Sequence, residues 1–280
     1  MNAAVWLITP GCRPGRFAAV RSAGADIAVL DLEDSVPAEL KDTARAAVLD
    51  HLANSATASA GVPLGLRMNA ITTRDGLRDL LALADAPRLP DALLVPKIED
   101  PRDTDLVTRH LRPGVRVWAL IETPRAVQRL PEILAPGILA GVVFGAADYA
   151  AATGCARTPW ALHHPRTAVA AACAAAGVPA LDSPYFDLAD TVGLRRESRE
   201  ARDLGFSGKG AVHPGQIAPI REAFAPDDAE LARARALLAA AARTDAAVTA
   251  TGGHMTGPPL LAAARATLAR ATHPADGDLQ

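Results

Sequence analysis

Two carboxylates stand where neighbouring β-type runs of this sequence end: Glu122 directly after the run 116–121, and Asp148 shortly after the run 141–144. They are hard oxygen ligands of the kind Mg²⁺ takes, because that ion needs one or two carboxylates and leaves its other positions to water and substrate. No cluster of His and Cys competes for a softer metal. Arg67, near the end of the run 63–68, offers a planar fork able to hold a carboxylate in bidentate fashion. A cation and a guanidinium on one 2-oxo or 2-hydroxy acid would polarise its carbonyl and stabilise an enolate, the charge that carbon–carbon cleavage develops.

These residues belong to a wider pattern. Five β-type runs end in polar residues: Asp31-Leu32-Glu33-Asp34-Ser35, Arg67-Met68-Asn69, Lys97-Ile98-Glu99, Glu122-Thr123 and Asp148. One such ending is ordinary turn chemistry, whereas five meeting on one rim point to a site. Asp31 and Glu33 are expected to brace Arg67 or its loop, and Lys97 to act electrostatically rather than as a Schiff-base amine. His213 could fix its loop or serve as a base. His163 and His164 read as a helix start without a chemical role.

The elements that would carry these residues alternate strand and helix. β-type runs at 5–9, 27–31, 63–68, 92–96, 116–121, 141–144, 180–182 and 210–212 are separated by helical patterns at 13–22, 38–52, 75–83, 124–134, 164–176 and 188–204, with another at 214–223. Eight strands with their crossovers predict an α/β fold, a TIM (β/α)8 barrel over 1–225, whose active sites lie at the C-terminal strand ends. A doubly wound sheet would need a Gly-x-Gly-x-x-Gly first turn, and Gly11-Cys12-Arg13-Pro14-Gly15 is not one. Beyond Pro226 the pattern becomes a C-terminal helical extension, 226–280. Asp227 is a candidate N-cap for a helix over 227–244; a Gly/Thr stretch at 249–257, a last helix over 259–271 and a fraying end at 273–280 follow.

The bulk composition excludes several classes. The 280 residues are 50% apolar, enough for a large core, and the net charge is −2 with no basic stripe for nucleic acid. No apolar run reaches the ~18 residues of a membrane span. Residues 1–10 do not read as a signal peptide, and Cys12, Cys155 and Cys173 have no metal or redox spacing. A cytoplasmic protein with reduced thiols is expected. Of the 29 basic Lys and Arg residues only Lys41, Lys97 and Lys209 are lysine. Where arginine is so strongly preferred, a surviving lysine suggests a place where a compact ammonium matters.

At these residues the chain resembles the family of the citrate lyase beta subunit and malyl-CoA lyase, within the HpcH/HpaI aldolase superfamily. The matching stretches run from Pro10-Gly11-Cys12-Arg13-Pro14-Gly15-Arg16-Phe17 through Leu30-Asp31-Leu32-Glu33-Asp34-Ser35-Val36, Leu66-Arg67-Met68-Asn69-Ala70, Val95-Pro96-Lys97, Ala119-Leu120-Ile121-Glu122-Thr123 and Phe144-Gly145-Ala146-Ala147-Asp148. They end with Gly205-Phe206-Ser207-Gly208-Lys209 and Ala211-Val212-His213-Pro214-Gly215-Gln216. The resemblance implies a magnesium-dependent carbon–carbon lyase with Mg²⁺ on Glu122 and Asp148. It places a 2-oxoacid carboxylate on Arg67, and an acyl-CoA whose pantetheine or phosphate end meets basic groups such as Arg13, Arg16 and Lys41, with Lys97 also near the substrate. It implies a homotrimer or hexamer.

The pyruvate-aldolase branch has a catalytic His where this chain has Asp34, so Asp34 joins Arg67, Glu122 and Asp148 as a catalytic candidate and the chain sits closer to the CoA-thioester branch. Two departures stand out. Ala147 replaces the usual acidic residue before Asp148, and Gly253-His254-Met255-Thr256-Gly257-Pro258-Pro259 has Gly257 where the family motif delivers a catalytic Asp over a neighbouring subunit's site. A glycine supplies no base, which weighs against a malyl-CoA-type thioesterase relative to a lyase. A free 2-oxoacid aldolase and a non-catalytic oxoacid or CoA binder are the other readings.

Overall fold

In the computed structural model, which describes residues 4–55, 61–242, 249–251 and 254–271, eight parallel strands close into a barrel in chain order, β8 returning to pair with β1. The strands are β1 (Ala4–Pro10), β2 (Ile27–Asp31), β3 (Leu64–Arg67), β4 (Ala92–Val95), β5 (Arg116–Ile121), β6 (Gly141–Phe144), β7 (Ala180–Asp182) and β8 (Gly208–Ala211). Strands β2, β4 and β6 are buried along their whole length. Helices cover one face and barrel packing the other, which is why these strands read as continuous aliphatic runs. The (β/α)8 expectation is met. The fraying end expected at 273–280 lies outside the described residues.

The helices are α1 (Phe17–Arg21), α2 (Lys41–Asn54), α3 (Arg74–Asp85), α4 (Pro101–His110), α5 (Pro124–Leu134), α6 (Ala146–Thr153), α7 (Pro159–Ala176), α8 (Thr191–Leu204) and α9 (Ile217–Phe224). Three differ from the sequence reading for identifiable reasons. Helix α4 is mostly polar, and its strongest signal is a capping box in which Asp100 and Asp103 satisfy each other's backbone N–H groups. Helix α6 hides in the apolar stretch after β6. Helix α7 starts at Pro159, with Thr158 accepting from the Ala161 N–H; Pro165 imitates a first-turn proline, so His163 and His164 sit inside the helix rather than at its start. Strand β8 begins two residues before the expected run, because pairing with β1 and β7 brings in Gly208 and Lys209.

The barrel interior is filled from below. Trp6 and Trp118 meet edge-on at 4.6 Å between ring centroids. Gly141 makes room for them, since a β-carbon there would come within 2.3 Å of the Trp118 ring. Above this plug Leu94, Leu120 and Val143 form the floor of an opening at the C-terminal strand ends. After α9 come α10 (Asp228–Ala241) and α11 (Pro258–Ala271), with a short antiparallel pair, β9 (Thr249–Thr251) and β10 (His254–Thr256), between them. Asp227 caps α10 reciprocally with Glu230, as expected of its side chain. Arg202 on α8 ties this extension to the barrel through Glu230 at 3.1 Å and the Ala225 carbonyl. Among the described residues no helix is long and apolar enough to cross a membrane.

Beneath β7 and β8 lies a buried ionic cluster. Lys209, fully buried, donates to Asp182 Oδ2 and to Glu197 Oε1, both at 2.6 Å. Asp182 also receives Arg166 Nε at 3.2 Å and Nη2 at 3.0 Å. Burial pushes the Asp182 carboxyl up, but the Lys209 and Arg166 charges outweigh it and hold the group below its usual range. Removing one member would strand the others in the interior, a loss of about 3–5 kcal/mol. Asp182→Ala should therefore lower unfolding free energy by about that amount in urea titrations; a loss under ~1 kcal/mol would show that the cluster contributes little.

Candidate active site

Arg67 ends β3 opposite Asp31 at the end of β2, a pair set by barrel register. Asp31 is fully buried and grips the fork from below, with Nε at 2.6 Å from Oδ1 and Nη2 at 2.7 Å from Oδ2. Burial alone would raise the Asp31 pKa. The Arg67 charge, together with hydrogen bonds from Arg67, Ser35 and the Glu33 N–H, pulls it below the ordinary value instead. Arg67 Nη1 reaches Glu33 Oε2 at 2.9 Å. The guanidinium plane is thus locked before any substrate arrives, so little ordering entropy is left to lose on binding a carboxylate.

Beside this fork lies a group of carboxylates around one ammonium. Lys97 Nζ stands 3.0 Å from Glu33 Oε1, 3.4 Å from Asp148 Oδ1 and 3.9 Å from Glu122 Oε1. Its backbone is left-handed at φ 53°, a conformation costly for a side chain with a β-carbon. The backbone N–H donates to Glu122 Oε1 at 3.0 Å, so the strain is held at both ends of the residue. Burial would lower the lysine's pKa, but the three carboxylates raise it above its usual value. An ammonium held charged in this way is a poor Schiff-base nucleophile, in keeping with the electrostatic role expected of it.

Glu122 is 1% exposed. Burial, then the charges of Glu33 and Asp148, hold its carboxyl well above the usual carboxylate range. Glu33 is raised too, again by burial first. Asp31, Glu33, Asp34, Glu122 and Asp148 share this end of the barrel with three cations, Arg16, Arg67 and Lys97, and Asp31 consumes most of the Arg67 charge. The remaining negative surplus suits a divalent cation on Glu122 and Asp148, both of which line one cavity of about 530 Å³ at the barrel mouth. No three Asp, Glu, His or Cys converge as an all-protein metal cage among the described residues, and Mg²⁺ does not require one.

The other expected site residues divide. Asp34 and Arg16 line the same cavity. Asp34 is more than half exposed, 3.9 Å from Arg67 Nη1, and its carboxylate is free to meet substrate. Arg13 is exposed on the β1–α1 turn, outside the cavity wall. Lys41 is otherwise employed: Nζ donates to the Leu32 and Glu33 carbonyls at 2.7 Å and to Asn69 Oδ1 at 2.6 Å. Those three bonds use its donors between the β2–α2 and β3–α3 loops, so the structure makes it a brace. Asn69 in turn donates to Asp79, which takes Arg45 at 2.5 Å. His213 accepts from the Gly215 N–H and shares a capping box with Gln216, which favours loop fixing over catalysis.

Two residues that shape the site escaped the sequence reading. Gly145 is needed beside Glu122, because a β-carbon there would lie 2.5 Å from Glu122 Cβ and 2.7 Å from Oε2. Ser183 follows β7, is buried, and accepts from the Ala146 N–H at 3.1 Å. The rule that selected the five polar strand ends applies equally to Asp182-Ser183 at the end of a sixth.

A family model described as HpcH/HpaI aldolase/citrate lyase matches residues 5–214. A citrate lyase subunit beta-like protein of Mycobacterium tuberculosis is 35% identical over 279 residues, covering 95% of this chain and 94% of its own. The L-malyl-CoA/beta-methylmalyl-CoA lyase of Rhodobacter capsulatus is 31% identical, covering 84% and 82%. Among solved structures, the protein CitE of Mycobacterium tuberculosis in complex with magnesium, acetoacetate and coenzyme A superposes with a TM-score of 0.84 at 34% identity, over 97% of this chain and 99% of its own.

The raised carboxyl of Glu122 has a measurable consequence. Folding favours its protonated form, so the group's contribution to stability is lost as pH rises from the usual carboxylate range through the raised value. Glu122→Gln keeps an acceptor for the Lys97 N–H and removes the repelled charge. Metal-free E122Q should melt about 2 °C above the parent at neutral pH, the shift that ~1 kcal/mol gives a chain of 280 residues at about 2.1 cal/mol/K per residue. The gap should close as pH falls into the usual carboxylate range. Calorimetric scans across pH check this, and a lower melting temperature at neutral pH would contradict the charge surplus.

Proposed function

The chain belongs to the HpcH/HpaI aldolase/citrate lyase family, and from that premise we propose that it is a Mg²⁺-dependent lyase of citryl-, citramalyl- or malyl-CoA-like thioesters, yielding acetyl-CoA and a 2-oxoacid. One observation carries the reading: a single cavity holds a guanidinium fork preset by Asp31 next to a carboxylate pair with surplus negative charge. In it Arg67 binds the substrate carboxylate, and Glu122 and Asp148 hold the cation. Mg²⁺ bound there supplies polarisation of the oxygen on the carbon next to that carboxylate. Asp34 accepts the hydroxyl proton. The bond from the hydroxyl-bearing carbon to the α-carbon of the acyl arm breaks, and its electron pair passes into the thioester enolate. A proton from solvent delivered to that α-carbon completes acetyl-CoA while the hydroxyl-bearing carbon becomes the carbonyl of the 2-oxoacid. Lys97 stays charged and offsets Glu33 and Asp148 throughout. The cavity suits the acyl portion, which leaves the nucleotide end of CoA outside, along the rim where Arg16 and Arg13 stand.

The extension completes the proposal as an oligomer contact. Its described helices bury only Ala234 and Ala264 among them, while Leu231, Leu237, Leu238 and Leu261 remain half-covered. Helices α10 and α11 pack chiefly on each other, and a neighbouring subunit of a trimer or hexamer would cover the rest.

Given Mg²⁺ and a panel of such thioesters, the protein should release acetyl-CoA without accumulating free CoA, and EDTA should stop it. Glu122→Gln and Asp148→Asn should each abolish turnover and weaken Mg²⁺ binding in calorimetric titrations. Wild-type affinity in both variants would place the metal elsewhere.

Gly257 separates cleavage from hydrolysis. Its carbonyl accepts from the Leu260 and Leu261 N–H groups at 3.0 and 3.2 Å, which makes it the residue that opens α11. Aspartate is favoured at such a position, so Gly257→Asp should fold. General-base catalysis is worth about 10²–10⁴-fold, and on one malyl-type thioester the variant should gain hydrolysis of up to that size, while cleavage and condensation, one reaction in two directions, change by a common factor. A wild type that already hydrolyses efficiently would make the protein a thioesterase.

A further inference from the structure

We propose that Ser183 is a positioning residue that caps α6 from outside the helix and so sets Asp148 at its working distance from Glu122. This rests on the reading of Glu122 and Asp148 as the cation pair. Asp148 is the third residue of α6, and a helix start needs acceptors for its free N–H groups. The usual solution is a Ser, Thr, Asp or Asn at the N-cap. That solution is blocked here. The N-cap is Gly145, which makes no side-chain cap, and any β-carbon at that position would strike Glu122. The same carboxylate that needs Asp148 nearby therefore forbids the local cap.

Ser183 replaces it from 37 residues away, its Oγ accepting from the Ala146 N–H at 3.1 Å. Gly145, one residue earlier, donates to the Ile121 carbonyl at 2.9 Å. The first turn of α6 is thus tied to β5 on one side and to the end of β7 on the other. The β7 tether is rigid. Asp182, its chain neighbour, is locked by Lys209 and Arg166. Pro184 packs against Gly210, where a β-carbon would come within 2.8 Å of its ring. The buried ionic cluster under β7 and β8 accordingly fixes the height of Ser183, Ser183 fixes the start of α6, and the helix fixes Asp148. Lys97 draws on Asp148 at 3.4 Å, and losing the cap lets the carboxylate drift from its place beside Glu122.

The test is calorimetric titration of the full chain with MgCl₂, alongside thermal melting. Partners behind a metal ligand commonly affect metal affinity 10–100-fold, and Ser183→Ala should weaken Mg²⁺ binding about 10-fold. Thr158→Ala removes the same kind of cap from α7, at a residue that does not line the cavity of Glu122 and Asp148, and should lower the melting temperature comparably while leaving Mg²⁺ affinity within 2-fold of wild type. Asp148→Asn should weaken binding further than Ser183→Ala does. If Asp148→Asn weakens binding while Ser183→Ala keeps wild-type affinity, the positioning role is overturned and the metal reading stands. Equal weakening by Ser183→Ala and Thr158→Ala would reduce the effect to general destabilisation, which also overturns it. Wild-type affinity in Asp148→Asn would overturn the metal reading and this inference with it.

Discussion

The Glu122 carboxylate is buried at the mouth of the barrel with Glu33 and Asp148 close enough to repel it, and the surrounding structure is arranged around that charge. Lys97 is bent into a left-handed backbone conformation so that its N–H reaches one Glu122 oxygen while its ammonium faces Glu33 and Asp148. Position 145 has lost its side chain to make room. The cap of α6 has moved to another strand. A buried carboxylate crowded by others in this way is unfavourable in the free protein, and it becomes favourable when a cation supplies what the basic side chains around it do not.

Three ionic networks under the rim keep the charged groups in register. Asp31 and Arg67 join β2 to β3. Arg45, Asp79, Asn69 and Lys41 tie the β2 and β3 loops to α2 and α3. Lys209, Asp182, Arg166 and Glu197 anchor β7 and β8. The three lysines of this arginine-rich chain each serve several acceptors in different directions, which three rotatable donors on a compact head can do and a flat fork cannot. Lys41 meets three oxygens, Lys97 three carboxylates and Lys209 two.

The two ends of the barrel are built oppositely. Trp6 and Trp118 plug the lower end with aromatic bulk, and the smaller aliphatics above them leave a floor on which charged groups stand in a setting of low polarity. Coulombic interactions act more strongly there than in open water, so placement of each charge within a fraction of an ångström matters more at this end of the fold.

How much of this could be read in advance follows from the range of each signal. Strand positions, the eightfold alternation, the Asp227 cap, and the place of Arg67, Glu122 and Asp148 at the strand ends were legible, because they are written in runs of adjacent residues: aliphatic strands that stop at a polar side chain. Lys41 was expected beside the pantetheine or phosphate end of an acyl-CoA and is a brace, since its three acceptors lie on loops 8 to 28 residues away. Helix α6 read as part of an apolar stretch because its cap is not beside it. Gly145 was invisible as a site residue because it acts through Glu122, which only barrel closure brings near, whereas Ser183 stands at a polar strand end like the others and only its partner, the Ala146 N–H, was out of reach of the sequence. The sequence by itself determined which residue types reach the rim; the tertiary structure decided which of them face the cavity and which hold the others still, because hydrogen bonds and charges act over a few ångströms of space whatever the distance along the chain.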